Sequence, residues 1–387
     1  MGQDGILPHK LVSKLGWTVH TNQALQTRKL NGFYWNHTLM NPGCIVKLRP
    51  VGPWRIGPDS GASDRVDTVY HGDSLYSAVT GAMLALGRLE EWLEATARNP
   101  EGAAVRFSSL FPFQGETRFV VPPKTVWPPA GSAKMRWKGA RFVPLPLVEA
   151  LLNGAAPEED RWTLDGPSEC LMPQGRPAPF RIGLRSGAAV DRLGSGVAPH
   201  VTACMEFHHG CGLWAAIWFA DDAAKEQWKA PVEAAFRLLA DSGFGGDRSR
   251  GWGRTEAPEF VAGTLPDLIL APVAPPEAAA TPESEGFWAE PASVQAYWLL
   301  SLFVPNADDS IDWERGFYDL VARGGRVESP ARSGDLKKLL NMVSEGSVLL
   351  ASGNLRGLAT DVAPDGFPHP VYRAGFAMAI PIPQVIV

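Results

Sequence analysis

The residues best suited to bind a ligand lie in a short loop rich in glycine and arginine, between positions 243 and 254. Its five glycines are Gly243, Gly245, Gly246, Gly251 and Gly253. Glycine accepts positive φ and lets a ligand approach the backbone, whose N–H groups can cradle phosphate oxygens. Arg248, Ser249 and Arg250 add side-chain donors for the same oxygens. The loop predicts a phosphate-binding site, with a purely structural glycine turn as the alternative.

Histidines are the residues most able to add catalysis, because histidine can act as a general acid or base in RNA cleavage. The candidates are His71, His200, His208 and His209. No lysine or tyrosine partner stands at an informative spacing from them, and a lone histidine in a strand or turn is more often structural. We therefore predict no catalytic residue and keep an RNA-processing endoribonuclease as the enzymatic alternative.

A metal site is a second alternative, around the turn at 208–212. The potential zinc ligands are Cys204, His208, His209 and Cys211. In a strand over 201–207, Cys204 and His208 would share a face, but no second cysteine pair with zinc-ribbon spacing follows. The sequence therefore predicts a hairpin tip here, with no metal and no cofactor.

The composition is that of a globular protein with many strands and turns. Hydrophobic residues make up 45% and charged residues 20% of the 387, and 40 glycines and 34 prolines accompany 14 tryptophans. The net charge of −5 excludes a body coated in basic charge but allows one basic groove. The chain has no apolar run of membrane-spanning length, no visible secretory signal and no disulfide framework among four cysteines. A cytoplasmic protein with no membrane partner is expected.

The hydrophobic pattern and the Pro- and Ala-rich stretches divide the chain into four segments. These are an N-terminal extension at 1–39, a first domain at 40–262 with the glycine loop at 243–253, a linker at 263–286 and a second domain at 287–387.

Helices and strands are expected on both sides of the glycine loop. Pro231 suits the first turn of a helix that ends at Gly243, with an acidic turn at 221–229 before it. A strand at 255–261 follows the loop, and this order is one half of a ferredoxin-like unit.

Two more helices are predicted. One follows His71 and is capped by Asp73 or Ser74, and the other lies around 313–322 in the second domain.

One stretch of the first domain is strongly basic. Residues 117–148 contain six basic residues and no acidic one. Trp127, Trp137 and Phe142 interleave with these charges, as a loop that faces RNA would need. A solvated hairpin is the alternative interpretation.

The glycine loop, placed after a helix in a ferredoxin-like half, resembles the G-loop of the RAMP superfamily of CRISPR proteins. Residues 70–78 look like the first-helix segment of that superfamily, usually written His-Ser-Asp-Thr-Leu, from which Gly72 and Ser74 depart. Other segments that match in the family's order are 108–113, 121–124, 189–192, 323–326, 345–348 and 369–375. The last three resemble the C-terminal signature of the Csm-type, Cas5-like RAMP subunit of type III-A CRISPR effector complexes.

The resemblance implies an α+β fold of two tandem ferredoxin-like (RRM-like) RAMP domains with a glycine-rich loop and inserted hairpins. It implies a non-catalytic subunit that binds the 5′ handle of crRNA in antiviral defence. Its partners would be the large polymerase/cyclase-like CRISPR subunit and the backbone RAMP subunits. The equivalent subunit of a Cmr-type or type III-D complex is the alternative. The expected RNA-binding residues are Gly243, Gly245, Gly246, Arg248, Ser249, Arg250, Gly251, Gly253, His71, Ser74, Lys124 and Arg192.

Removal of residues 1–39 tests the proposed boundary. A chain that begins at Met40 should match the full chain in thermal stability and in complex assembly, because no hydrophobic period precedes Met40. The measurement is a thermal melt of both chains. A loss of more than about 2 kcal/mol would show that the extension packs on the body, since surface changes cost less.

Overall fold

The computed structural model describes residues 41–58, 61–129, 133–190, 194, 196–271 and 294–383. The predicted extension at 1–39 and most of the predicted linker lie outside these ranges, so the division into four segments stays a prediction. The helices are α1 (Gly72–Ala85), α2 (Leu89–Ala95), α3 (Ala133–Arg136), α4 (Leu145–Leu152) and α5 (Asp222–Ser242), with short 3-10 turns at Glu159–Arg161 and Arg248–Arg250.

The strands are β1 (Asn41–Leu48), β2 (Val105–Phe107), β3 (Phe111–Gln114), β4 (Thr117–Val120), β5 (Val143–Pro144), β6 (Trp162–Asp165), β7 (Cys170–Pro173), β8 (Phe180–Val190), β9 (Val197–Phe207), β10 (Cys211–Phe219), β11 (Glu259–Leu265), β12 (Gln295–Leu299), β13 (Ile311–Phe317), β14 (Leu320–Arg323), β15 (Leu340–Val343), β16 (Val348–Ala351), β17 (Gly357–Asp361), β18 (Tyr372–Phe376) and β19 (Ala379–Ile382).

The main sheet of the N-terminal half has the order β11-β1-β10-β3-β4-β5, and β2 also pairs with β10. The pairs within this path are antiparallel. With β2 and β3 sharing the second position, the order is fourth, first, third, second. Helix α1 follows the first strand and α5 follows the third, which is the ferredoxin-like arrangement. The segment from β4 to β9 is inserted between the second and third strands.

The C-terminal half repeats this strand order without the helices. Its sheet runs β13-β16-β12-β19, again fourth, first, third, second when read from β19. Hairpin β17–β18 stands where the second helix of a ferredoxin-like unit would be, whereas hairpin β14–β15 is inserted between the second and third strands, and residues 294–383 contain no α-helix. The predicted α+β fold with two ferredoxin-like units and inserted hairpins is confirmed.

The helix predicted around 313–322 is wrong, because these residues form β13 and β14. Trp313, Phe317 and Leu320 have helical spacing, but they cover no core. Their exposed fractions are 38%, 40% and 61%. Backbone pairing of β13 with β16 and of β14 with β15 decides the conformation instead.

Helix α5 begins earlier than the sequence suggests. Asp221 accepts a hydrogen bond from the Ala224 amide at 2.7 Å and caps the helix, so the acidic segment at 221–229 is its first half and not a turn. Pro231 therefore lies inside the helix. The helix continues past it because Trp228, Val232 and other side chains on both sides of the proline are buried.

One apolar core runs through both halves. Tyr76 of α1 packs edge-on against Phe376 of β18, with ring centroids 5.5 Å apart. Trp298 is fully buried in the same core, and its indole N–H donates to the Val121 carbonyl at 3.1 Å. Arg106 donates to the carbonyl of Leu355 at 3.0 Å. The two ferredoxin-like units are thus packed together over a shared apolar surface.

The β8–β9 hairpin projects from this body as a long two-stranded ribbon. Its pairing runs from Phe180 opposite Phe207 to Val190 opposite Val197. The base is buried, whereas Leu184, Val190 and Val197 are more than 60% exposed. Of the helices that the structure describes, none is both long and apolar enough for a membrane span.

Two tryptophans of the C-terminal half should differ sharply in their contribution to stability. Trp298→Ala should lower the free energy of unfolding by about 3–5 kcal/mol, because it opens a cavity in the shared core. Trp313→Ala, the matched control on an exposed strand, should change it by about 0.5 kcal/mol or less. Denaturant unfolding of both variants measures the difference, and equal losses would contradict a core that is continuous through Trp298.

Candidate functional site

The inner half of the glycine loop is packed against the body. Gly243, Gly245 and Gly253 have φ of 95°, 73° and 79°, and a Cβ on any of them would collide with a backbone carbonyl oxygen. Phe244 is fully buried and stacks on Trp54 with ring centroids 5.3 Å apart. These three glycines are therefore required by packing, as the structural alternative expects.

The outer half of the loop faces solvent. Arg248, Ser249 and Arg250 form one 3-10 turn and are exposed. This turn is bracketed by two residues in the left-handed region, Asp247 with φ 57° and Gly251 with φ 80°. A Cβ on Gly251 would meet no atom within 4 Å, so space for a ligand exists on this side. The loop thus has an inner base that is fixed by packing and an exposed turn, residues 248–250, that is rich in hydrogen-bond donors. We call this turn the rim.

The arginines of the rim make exchangeable ion pairs. The Arg248 guanidinium contacts Glu328 of the C-terminal half, and Arg250 lies 3.6 Å from Asp247. Both pairs are partly solvated, and pairs of this kind contribute about 0–1 kcal/mol. A phosphate could therefore displace the carboxylates at little cost.

His71, a predicted RNA-binding residue, is buried at the contact between the two halves. Its Nδ1 lies 2.8 Å from Glu345 Oε1 and its Nε2 lies 3.1 Å from Asp67 Oδ2. Burial alone would lower the pKa of His71, but the two carboxylates raise it to about 9. The imidazole is therefore a cation. It links the end of the β1–α1 connection to the turn before β16.

Asp73 forms the second part of this buried contact. Arg323 donates to it at 3.2 Å, and Arg373 donates to its other oxygen. Burial raises the pKa of the Asp73 carboxyl, but the two guanidinium groups outweigh it and lower the pKa to about 2. Ser74 accepts a hydrogen bond from Arg323 at 3.1 Å.

Neither Asp73 nor Ser74 caps α1, whose N-cap residue is His71, so the predicted cap is wrong.

We call His71, Asp73, Arg323, Glu345 and Arg373 the junction cluster. It joins residues 71–74 to all three C-terminal motifs singled out in the sequence. Ser74 takes part in the cluster through Arg323, and its predicted RNA contact is not part of this arrangement. Sequence reasoning missed this pairing, although acidic and basic residues in motifs far apart along the chain were the available signal.

Lys124 lies at the mouth of a cleft of about 370 Å³ between the halves. Its ammonium pairs with Asp319, and its backbone N–H donates to the Gly346 carbonyl at 3.0 Å. The cleft also reaches His71 and Arg141. Lys124 and His71 are thus brought to one cleft, and Arg248 and Arg250 lie on the separate glycine loop. Arg192 lies outside the described residues.

The aromatic residues of the basic stretch do not face RNA. Trp127 and Trp137 stack on each other with ring centroids 5.6 Å apart and planes 5° apart. Both are buried, as is Phe142. Their predicted role as an RNA-facing set is wrong, because the apolar area of these rings stabilises the inserted segment.

The zinc and cleavage alternatives find little support in the geometry. His208 and His209 are exposed in the turn between β9 and β10, and Cys204 and Cys211 are buried in the strands on either side. Burial raises the pKa of the Cys204 thiol, which disfavours the thiolate that zinc requires. Within the described ranges, no group of three or more His, Cys, Asp or Glu could hold a metal ion.

The C-terminal half of the chain contains a match to a known protein family. Residues 292–382 match the family model of the CRISPR Csm4 C-terminal domain. This C-terminal part of the chain is of the Csm4 type. The matched segment includes Arg323, Glu345 and Arg373 of the junction cluster, and the recognition of a Csm-type RAMP subunit from sequence is confirmed. A search of curated proteins gave no match.

Two solved structures share the fold of this chain. One is described as a Csm3–Csm4 subcomplex of the type III-A interference complex, with TM-score 0.54 and 17% identity, covering 89% of this chain and 100% of that one. Another is a Csm1–Csm4 cassette with cA4, with TM-score 0.50 and 17% identity, covering 88% and 98%. At this identity the likeness shows the fold of both halves.

The junction cluster predicts a pH dependence of stability. The pKa of His71 in the folded chain, about 9, lies above its ordinary 6.5. The stabilisation is therefore complete below pH 6.5 and is lost as pH rises through about 9. His71→Gln should cost on the order of 2 kcal/mol at pH 6 and clearly less at pH 9.5, as measured by denaturant unfolding. For the control, exposed His208→Gln, the cost should be small. A pH-independent cost for His71→Gln would contradict the assignment.

Proposed function

We propose that this Csm4-type chain is a non-catalytic subunit of a type III CRISPR ribonucleoprotein that binds the 5′ handle of crRNA. The observation that carries the proposal is the solvent-facing turn of Arg248, Ser249 and Arg250 on a base fixed by three glycines. A rim of this kind holds one stretch of RNA backbone through phosphate contacts. The acidic net charge of the whole chain, −5, discourages RNA binding away from this loop.

The glycine-loop contacts suit single-stranded RNA better than a nucleotide triphosphate. The loop follows the C-terminus of α5, so no helix N-terminus points at the site from that side. The donors are two guanidinium groups and one hydroxyl, spread over a single turn. Guanidinium groups bind successive phosphates bidentately and leave the bases free for other contacts.

The chain also docks two kinds of protein partner in this proposal. The solved structures of similar fold are described as Csm4 with Csm1 and Csm4 with Csm3. By similarity, the partners here are the large polymerase/cyclase-like subunit and a backbone RAMP subunit. Exposed apolar side chains supply suitable surface, on the outer β8–β9 ribbon and at Trp313, Phe317 and Leu320.

In this proposal the chain is a scaffold that acts in the cytoplasm. The positions of the histidines favour a scaffold over an enzyme that cleaves RNA. His71 is held between two carboxylates, which stabilise its protonated form and remove it as a general base. His200 lies in β9, and His208 and His209 lie in an exposed turn. This dispersion supports the Csm-type assignment over an RNA-processing endoribonuclease.

Replacement of the two rim arginines tests RNA binding. Arg248→Ala with Arg250→Ala should weaken crRNA binding and lower the slope of log K against log salt by about 0.7 for each lost contact. Folding should be unaffected, because both side chains are exposed. The matched control is Arg161→Ala with Arg237→Ala, two exposed arginines that also pair with nearby glutamates. An unchanged salt slope in the Arg248/Arg250 variant would mean that the loop serves packing alone.

A further inference from the structure

A segment of the C-terminal half lies beside the rim of the glycine loop. After β14 the chain turns at Gly324 and Gly325 and comes back along itself, where the Lys337 amide donates to the Gly325 carbonyl at 2.9 Å. Glu328 in this segment is the residue that pairs with Arg248. The rim and the 324–337 segment therefore border the same solvent-facing space.

Lys337 stands in this segment without a counter-ion of its own. It is half-buried, and its ammonium makes no ion pair or hydrogen bond with any side chain in the part of the chain that the structure describes. Burial and the positive charge of Arg373 lower the pKa of Lys337, and the negative charges of Asp73 and Glu328 offset this only in part. Asp73, the nearby buried carboxylate, is already shared by Arg323 and Arg373. Lys337 is thus a cation at the edge of the junction cluster that no carboxylate of the described residues contacts.

A half-buried ammonium among guanidinium groups is costly unless an anion approaches it. Glu328 cannot fill this role well, because its side chain is 80% exposed and is engaged by Arg248. The Nε of Arg373 is also buried without an acceptor. The charges on the two sides of the space therefore favour a ligand that is anionic and that has several oxygen acceptors.

We propose that Lys337 extends the glycine-loop site into the C-terminal half and binds a backbone phosphate of the RNA held by Arg248. This rests on the proposed function, and it assigns the RNA to a path between the two halves. Lysine suits the position because its compact charge carries three rotatable donors and needs no planar partner. The phosphate replaces Glu328 as the anion that Arg248 pairs with, and it also contacts Lys337.

The experiment compares two adjacent lysines in the full-length protein. Lys337→Met removes the proposed contact, and Lys338→Met is the control, because the exposed Lys338 pairs with Asp365 at 2.9 Å. The probe is a fluorescein-labelled single-stranded RNA copied from the 5′ end of the crRNA that co-purifies with the complex. Affinity is measured by anisotropy over a series of salt concentrations, and each variant is melted thermally.

Lys337→Met should weaken RNA binding by about tenfold, equivalent to about 1.4 kcal/mol. It should also lower the salt slope by about 0.7. Lys338→Met should change neither. The melting temperature of Lys337→Met should equal or exceed that of the unaltered protein, since a partly buried cation with no contacting carboxylate is removed.

Four results would overturn the proposal. If Lys337→Met behaves like Lys338→Met while the Arg248/Arg250 variant still binds RNA weakly, Lys337 has no RNA contact and the proposed function stands. If none of these variants alters RNA affinity, the proposed function fails as well. A lower melting temperature of Lys337→Met would make Lys337 a structural group.

A last experiment adds sodium phosphate alone to the unaltered protein and to Lys337→Met. If phosphate stabilises only the unaltered protein, while the RNA affinity of the two is equal, the site binds a free anion and not RNA.

Discussion

The buried charge pairing at the start of α1 holds the two ferredoxin-like units in one arrangement. Asp73 is contacted by Arg323 and Arg373, and His71 lies between Glu345 and Asp67. A buried charge that loses its partner is strongly destabilising, so each member depends on the others. The cluster also fixes the turn after β14, since Arg373 donates to the Gly324 carbonyl. The position of the C-terminal half beside the glycine loop follows from these contacts.

The glycine loop shows how one short segment can satisfy packing and leave donors for a ligand. Gly243, Gly245 and Gly253 let the backbone approach its neighbours, and the burial of Phe244 anchors the loop in the core. The arginines project from the opposite side, where the ion pairs are solvated. The ligand-binding interpretation and the structural-turn interpretation of the sequence thus describe different residues of the same loop.

Features that depend on neighbours in sequence were predictable. The ferredoxin-like order around α5 and the glycine loop follow from local period and turn residues, and the C-terminal motifs point to the family. The junction cluster was not predictable from local pattern, because His71 and Glu345 are 274 residues apart. The helix predicted at 313–322 was wrong because β-pairing with distant strands decides the structure there. Trp127 and Trp137 were predicted to face RNA because charged residues surround them in sequence. Aromatic rings among charges can instead stack on each other in a core, as these two do.

The continuous core has a consequence for a chain that is cut. Tyr76 packs on Phe376, Trp298 reaches the Val121 carbonyl, and the charges of the junction cluster cross the same surface. A protease that cleaves between 271 and 294 would therefore produce two fragments that remain associated, each covering the apolar face of the other. Separately produced, each fragment would expose that face and aggregate, whereas together they would reassemble as a split protein. The chain is therefore built as a repeat of one topology, but the two units depend on each other to fold and to withstand cleavage.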